Sequence, residues 1–349
     1  MTIKISEVRL MSLIWNNKIS VSYFGEAHDS VVGVTISGIP EGEYISSEEI
    51  VKFLSRLSPK SLGMAEKLPT PRIMSGLMNE RTTGAPLCAI LQNTKSQAVS
   101  AEKPENMRYG HGDYTGAVCC RGYCDAEKKS RSAERFAVPL CFAGAVCGQI
   151  LERRGIYTGG HIARIHNVKD NPFDTVRLSR DAVLSVRFKD FPVINDRVGW
   201  NMLENIAMAR ESGESLGGIV ECASVNVPSG VGSPVFDGLA NCISQLLFTL
   251  PDITGVEFGD GFSAAEMPGS QYADVSYITE QGYSMTKTNS HGGMINGISS
   301  GMPITLKAAF KPPKIGSADC CTIPRAVVYT ESAVNIALLT AMLDYPNFC

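Results

Sequence analysis

The sequence has little charge, and no part of it is a long apolar run. Charged residues make up 19% of the 349 residues, and 32 basic residues nearly balance 35 acidic ones, for a formal net charge of -3. A chain without a basic excess does not attract polyanions over its whole surface, so we expect no nucleic-acid partner. No stretch of about 18 apolar residues occurs, so we expect no membrane partner either.

The sequence also lacks an ordered set of cysteine pairs. Its eleven cysteines are an odd number, and no CxxC pair is matched to another. This spacing is poor for a metal site and poor for a disulfide framework. The first residues show no apolar stretch followed by a small-residue cleavage site. Together these features predict a reduced, cytoplasmic protein without a metal site.

The pattern of apolar residues predicts an α+β protein. Alternation over Val31 to Ile36 predicts a strand, and SSEEIVKFLSRL has the serines and glutamates of a helix start. Apolar runs predict helices at Ala137 to Leu151, at Leu239 to Leu250 and near the end of the chain. No shift in composition marks a linker. We therefore expect one domain over residues 11–345, preceded by an extension over residues 1–10.

The segment MRYGHGDYTG has the residues of a catalytic site. Gly110 and Gly112 flank His111, which lets the backbone come close to a ligand. Arg108 and Asp113 lie near enough in sequence to tune the imidazole as a proton donor or acceptor. The alternative is an ordinary surface-loop histidine, and the segment alone does not decide between the two.

Six segments in order resemble the chorismate synthase family. FGEAHDSVVGV is similar to the family's FGESHG segment, and MRYGHGDYTG is similar to its RPGHADYT segment. The other four are ERTTGAPLCAILQNT, the stretch from GSPVFDG to VEFGDGF, GGMINGISSGMPI with FKP, and IPRAV before a helix. Ordered matches over about 320 residues are far more specific than a single motif.

The resemblance implies a fold, a reaction and an assembly. The fold would be a β-α-β sandwich, a helical layer between antiparallel sheets, assembled as a homotetramer. The reaction would be the 1,4-anti-elimination of phosphate from a small-molecule substrate, 5-enolpyruvylshikimate 3-phosphate, to give chorismate. It would require reduced FMN, with NADPH or another reductant to reduce it.

The resemblance also implies roles for individual residues. His28, His111 and Asp319 would be catalytic, with His28 toward the phosphate, His111 toward the flavin, and Asp319 toward the C6 proton. Arg108 and Arg135 would bind the substrate. The flavin would be bound by four further residues, Arg131, Ser132, Gly297 and Lys311. Without the resemblance, Arg131 and Arg135 fit a solvated helix face equally well, and Lys311 fits a surface lysine.

Several residues depart from the family pattern. Leu57, Ser58 and Gly63 lie where the family's arginine-rich segment holds the substrate, and Ser317 and Ala318 replace an arginine and a histidine. Loss of guanidinium groups weakens the binding of carboxylate and phosphate. Two alternatives therefore stay open beside a divergent chorismate synthase: a flavin lyase of the same fold with a less anionic substrate, and a non-catalytic descendant. The other histidines, His161, His166 and His291, are expected to be structural.

Overall fold

The computed structural model describes residues 13–25, 30–63, 70–92, 134–280, 284–315 and 319–345. Within these ranges the strands are β1 (Ile14–Asn16), β2 (Ser20–Phe24), β3 (Val31–Ser37), β4 (Arg72–Ser75), β5 (Leu77–Met78), β6 (Arg81–Thr82), β7 (Leu87–Gln92), β8 (Tyr157–Ile165), β9 (Val168–Lys169), β10 (Gly218–Val225), β11 (Ile253–Phe258), β12 (Ser276–Ile278), β13 (Ser284–Thr286), β14 (Met294–Ile295), β15 (Ile298–Ser299) and β16 (Ile304–Phe310). The α-helices are α1 (Ser47–Ser55), α2 (Glu134–Arg153), α3 (Arg180–Arg187), α4 (Asp196–Ser212), α5 (Leu239–Leu247), α6 (Gly269–Tyr272) and α7 (Ile323–Met342), with short 3-10 helices at Lys60–Leu62, Val235–Asp237 and Gly261–Glu266.

Two five-stranded sheets form the outer layers. The first has the order β1-β2-β3-β7-β4 and the second has the order β11-β16-β10-β8-β9. Neighbouring strands are antiparallel in both sheets. In β3 the side chains of Val32, Val34 and Ile36 are buried, which is the alternation predicted for this strand.

Two long helices fill the space between the sheets. Helix α2 packs against β3 of the first sheet, and α7 packs against β8 and β10 of the second. The two helices run parallel, because Gly144 contacts Ser332 and Gly148 contacts Asn335. A Cβ atom on Gly144 would lie 2.3 Å from the Cβ of Ser332, so glycine allows this close approach. The predicted β-α-β sandwich is therefore confirmed.

Both central helices are apolar on nearly every side. Every residue of α7 is buried except Arg325, Tyr329 and Ala341. Among the described residues, one helical window, Phe136–Arg153, is apolar and long enough to cross a membrane, and 78% of it is buried inside the protein. Contact with a sheet on one side and a helix on the other accounts for this composition.

Helix ends match local sequence signals where a capping side chain is present. The side chain of Ser46 accepts a hydrogen bond from the backbone N–H of Glu49 at the start of α1. Helix α4 begins at Asp196, because the side chain of Asn195 caps it by accepting a hydrogen bond from the N–H of Arg197. Helix α5 ends at Leu247 rather than at Leu250. The proposed boundary between residues 1–10 and the domain lies outside the described residues and stays a prediction.

Candidate active site

The structure describes only part of the predicted site. Five predicted residues lie outside the described ranges: His28, Arg108, His111, Arg131 and Ser132. Arg135 lies in the first turn of α2, but the structure describes only its backbone. Asp319, Lys311 and Gly297 are described, so the geometry of the site is built from these three and their neighbours.

Asp319 lies just before the first turn of α7. One oxygen of its carboxylate accepts a hydrogen bond from the backbone N–H of Cys321 at 3.3 Å, and the other lies 3.3 Å from Nη1 of Arg325. The side chain is 15% exposed, so the carboxylate is partly buried. Arg325 thus places a fixed positive charge beside a carboxylate that is mostly buried.

The segments that carry Lys311 and Asp319 are joined through residues 215 and 216. The hydroxyl of Ser215 donates to the carbonyl of Pro313 at 2.7 Å, and the N–H of Leu216 donates to the carbonyl of Cys320 at 2.8 Å. These two contacts bring the end of β16 next to the start of α7. Lys311 is half exposed there, and its ammonium group lies 3.9 Å from the carboxylate of Asp252.

Gly297 lies in a different part of the fold from Asp319 and Lys311. With Asn296 it forms the two-residue turn between β14 and β15, and both have positive φ angles, 53° and 81°. A Cβ atom on Gly297 would come within 2.6 Å of the carbonyl oxygen of Ser233, so this position requires glycine for packing alone. The Gly297 carbonyl accepts from Leu239 at the start of α5.

Lys311 and Gly297 are therefore associated with opposite ends of α5. Asp252, the partner of Lys311, follows the C-terminal end of this helix, whereas Gly297 contacts its first residue. A nine-residue helix is about 13 Å long. The structure thus brings Lys311 and Asp319 to one region and leaves Gly297 at some distance from Lys311.

Residues 56–63, which by resemblance correspond to the family's arginine-rich segment, are fixed from several sides. Arg56 donates to both carboxylate oxygens of Glu331, at 2.5 and 2.7 Å. Leu57 is 3% exposed and belongs to the hydrophobic core. The backbone N–H groups of Lys60 and Ser61 donate to Asp190 at 2.9 and 2.7 Å. The single guanidinium group of this segment is therefore already bound by a carboxylate.

Glu331 is the centre of a buried ion network that the sequence analysis missed. It is fully buried, it accepts from the N–H of Gly160 at 2.9 Å, and it lies 3.9 Å from Nε of Arg187. Arg187 also pairs with Glu152 at 2.5 Å. Burial would lower the pKa of Arg187, but Glu331 and Glu152 outweigh burial and raise it. The only local signal was an acidic residue inside the apolar run of α7.

A pocket of about 790 Å³ lies beside this network, between α1, α2 and the loop after α3. Its lining includes Arg56, Ser58, Arg187 and Asn335. Asn335 is twelve residues into α7, which corresponds to about 18 Å of helix from the end where Asp319 lies. The pocket and the Asp319 region are therefore separate places on the molecule.

The remaining histidines make contacts within the fold. His161 is fully buried, with Nε2 2.7 Å from Glu221 and Nδ1 3.4 Å from Asp170. Nδ1 of His291 lies 2.8 Å from Asp274. In the part of the chain that the structure describes, no group of three His, Cys, Asp or Glu residues is placed to hold a metal ion.

Comparison with known proteins connects this geometry to a family. Residues 19–315 match the family described as chorismate synthase. A chorismate synthase of Pyrococcus abyssi is 37% identical over 350 residues, which cover 93% of this chain and 96% of that protein. One of Thermococcus kodakarensis is 33% identical with the same coverage. The chain belongs to the chorismate synthase family.

A solved structure of a chorismate synthase supports the same assignment. It superposes with a TM-score of 0.80 and 26% sequence identity, covering 94% of this chain and 93% of that one. The predicted resemblance and the α+β fold are thus confirmed. Family membership makes the chain a carbon–oxygen lyase with a small-molecule substrate.

Proposed function

We propose that this chain converts 5-enolpyruvylshikimate 3-phosphate to chorismate by 1,4-anti-elimination of phosphate. The observation that carries the proposal is the family match over residues 19–315, together with a relative that is 37% identical and covers 93% of the chain. In this reaction the C3–O bond to phosphate breaks and the proton at C6 leaves, while the ring double bond between C1 and C2 is replaced by two double bonds, one between C6 and C1 and one between C2 and C3. Reduced FMN, when bound, assists the elimination and is not consumed.

The chain's own residues would handle protons and charge. His28 would donate a proton to the leaving phosphate, since neutralisation of the developing charge lowers the barrier. His111 would support protonation on the flavin side. Asp319, partly buried and held by Cys321 and Arg325, would assist removal of the C6 proton. Arg108 and Arg135 would hold the anionic groups of the substrate.

The described residues fit a flavin phosphate or ring in part. Lys311 offers a half-exposed ammonium group at the end of β16, a suitable partner for an anion. Asp319 lies in the region next to it and offers hydrogen-bond acceptors. At position 297 glycine is required by the close contact with the carbonyl oxygen of Ser233, so its presence is explained without a bound flavin. Arg131 and Ser132 would complete the flavin site.

A second candidate function has a structural argument of its own. Because Arg56 is bound by Glu331 and Leu57 points into the core, residues 56–58 offer no uncommitted guanidinium to a substrate. A lyase of the same fold with a less anionic substrate would need fewer such groups.

We also propose a homotetramer in the cytoplasm, with NADPH or another reductant as the source of electrons for FMN. The family resemblance supports the assembly, and so do large apolar side chains that stay exposed in one chain: Trp200 (71%), Phe262 (83%) and Phe236 (87%). Light scattering of the purified protein measures the mass of the assembly directly.

The deciding experiment is anaerobic turnover of 5-enolpyruvylshikimate 3-phosphate with reduced FMN, followed by release of phosphate and formation of chorismate. Oxidised FMN serves as the control, since it cannot assist the elimination. Flavin binding without turnover would favour the lyase with another substrate. A protein that binds neither flavin nor substrate would be a non-catalytic descendant of the family.

A further inference from the structure

Arg210 reaches across from α4 to the end of the 56–63 segment. It lies in the last turn of α4, and its Nη2 donates to the carbonyl of Leu62 at 3.4 Å. Leu62 is followed by Gly63, an exposed residue with φ +68° that ends the 3-10 helix Lys60–Leu62. An arginine 148 residues away in sequence is therefore adjacent to the Gly63 turn. The resemblance described above implies an arginine at this turn in the family.

Arg210 is also near the region of Asp319. Ile206 lies one turn earlier on the same face of α4, and its carbonyl contacts the sulfur of Cys320 at 3.7 Å. Cys320 is the neighbour of Asp319 in the chain. Four residues of helix span about 6 Å, so Arg210 lies between the Gly63 turn and the Asp319 region.

The guanidinium of Arg210 has capacity for a ligand. The side chain is exposed, and among the described residues no carboxylate forms an ion pair with it. A guanidinium group has five N–H donors, of which the Leu62 carbonyl takes one. Among the described residues, nothing lies within 4 Å of where a Cβ atom on Gly63 would be. Arg56, by contrast, gives two of its donors and its charge to the buried carboxylate of Glu331.

We propose that Arg210 binds a carboxylate or phosphate group of the substrate beside the Gly63 turn, in place of the arginine missing from that turn. The inference rests on the proposed function. The hydrogen bond to Leu62 fixes one edge of the guanidinium, and the remaining donors form a fork suited to an oxyanion. Arg210 is then a substrate-specificity residue supplied by another element of the fold.

The experiment compares Arg210→Met with Arg197→Met, which removes an equal charge from the first turn of the same helix. For Arg210→Met we expect KM and the calorimetric Kd for 5-enolpyruvylshikimate 3-phosphate to rise at least about tenfold while kcat stays within about twofold. Arg197→Met should change neither. Arg210→Lys should lie between wild type and Arg210→Met, because lysine keeps the charge but loses the fork.

Two further measurements sharpen the result. Gly63→Arg in the Arg210→Met background should recover part of the affinity, since a new guanidinium extends from the turn, and Gly63→Ala in the same background controls for the strain of a side chain at φ +68°. Competition by inorganic phosphate separates the two anions: weaker competition in Arg210→Met assigns Arg210 to the phosphate, and unchanged competition assigns it to a carboxylate.

Other outcomes overturn the inference. If the wild type turns over substrate and Arg210→Met has the same KM and Kd, Arg210 does not bind substrate, and the proposed function stands. An equal rise in Arg197→Met would mean that only the overall charge matters. A wild type that neither binds nor converts the substrate overturns both proposals.

Discussion

Arg56 donates two parallel hydrogen bonds to Glu331, a residue with no exposed surface, and so joins the end of α1 to the middle of α7. Removing one partner of a buried ion pair leaves the other charge uncompensated. We expect Glu331→Gln to lower the free energy of unfolding by about 3–5 kcal/mol, measured by urea denaturation followed by circular dichroism.

An exposed ion pair provides the control for this variant. Lys18 pairs with Asp344, and the two side chains are 48% and 59% exposed. Asp344→Asn should leave the unfolding midpoint nearly unchanged, because water screens such pairs. Equal effects of Glu331→Gln and Asp344→Asn would mean that the buried network contributes no more than a surface pair.

The buried His161 should make stability depend on pH. Burial alone would lower its pKa, but Asp170 and Glu221 outweigh burial and raise the pKa above the ordinary value of 6.5. A raised pKa in the folded state stabilises the protein fully below 6.5, and this contribution is lost as pH rises through the folded-state value. We expect unfolding free energy to fall on the alkaline side of 6.5 in wild type and less so in His161→Gln.

The pKa of Asp170, the carboxylate partner of His161, shifts in the opposite direction. Backbone and His161 hydrogen bonds outweigh burial and lower the pKa of Asp170 below its ordinary 3.8. Its contribution is present above 3.8 and is lost as pH falls through the folded-state value. Parallel pH curves for wild type and His161→Gln in urea titrations would show that the imidazole is neutral throughout.

Gly144→Ala tests the contact between the central helices. Its new methyl group would lie 2.3 Å from the Cβ and 2.6 Å from the Oγ of Ser332, so α2 and α7 must move apart. Overpacking of this kind costs about 1–3 kcal/mol of unfolding free energy. In Gly269→Ala the methyl group would meet none of the described residues within 4 Å, so the unfolding free energy should change by no more than a few tenths of a kcal/mol. A stable Gly144→Ala would show that the helix pair is loosely packed.

Leu57 and Ser58 should respond differently to a new arginine. Leu57 is 3% exposed inside the core, whereas Ser58 lines the large pocket. Leu57→Arg buries a positive charge at a position that was apolar, and it should lower the unfolding free energy by at least about 3 kcal/mol. Ser58→Arg should change it by no more than about 0.5 kcal/mol. A folded, stable Leu57→Arg would require this segment to rearrange.

Asp319→Asn tests the assigned base. Asparagine keeps the shape and the hydrogen bond from Cys321 but cannot accept a proton, so turnover should fall by about 10²-fold or more. Flavin affinity, measured by fluorescence titration, should remain within a few fold of wild type. Parallel loss of flavin affinity and turnover would make Asp319 a cofactor ligand or a structural group instead.

Local signals allowed much of the fold to be predicted. The capping serine of α1, the alternation of β3 and the all-round apolar pattern of α2 and α7 depend on residues close together in sequence. Helix α3 also has a local signal, because Ser179 caps it through the N–H of Ala182, but the sequence analysis missed it. The segments around His28, His111 and Asp319 were assigned because each resembles a short family motif, and the roles of these residues stay predictions.

Long-range contacts could not be predicted in the same way. Glu331 binds a residue 275 positions away, and nothing in the sequence near either partner indicates the other. Leu57 was expected in a substrate site, and its burial depends on how α1 ends against the core. Arg210 becomes adjacent to Gly63 only once α4 is in place.

The position of α7 in the chain has a consequence for synthesis. This helix follows every other described element, yet α2, α5, β8 and β10 all pack against it. A growing chain that has completed both sheets still exposes the apolar surfaces that α7 will cover. Domains fold as units once their last core element is available, so the sandwich closes late and the nascent chain depends on protection from aggregation until residue 342 has emerged from the ribosome.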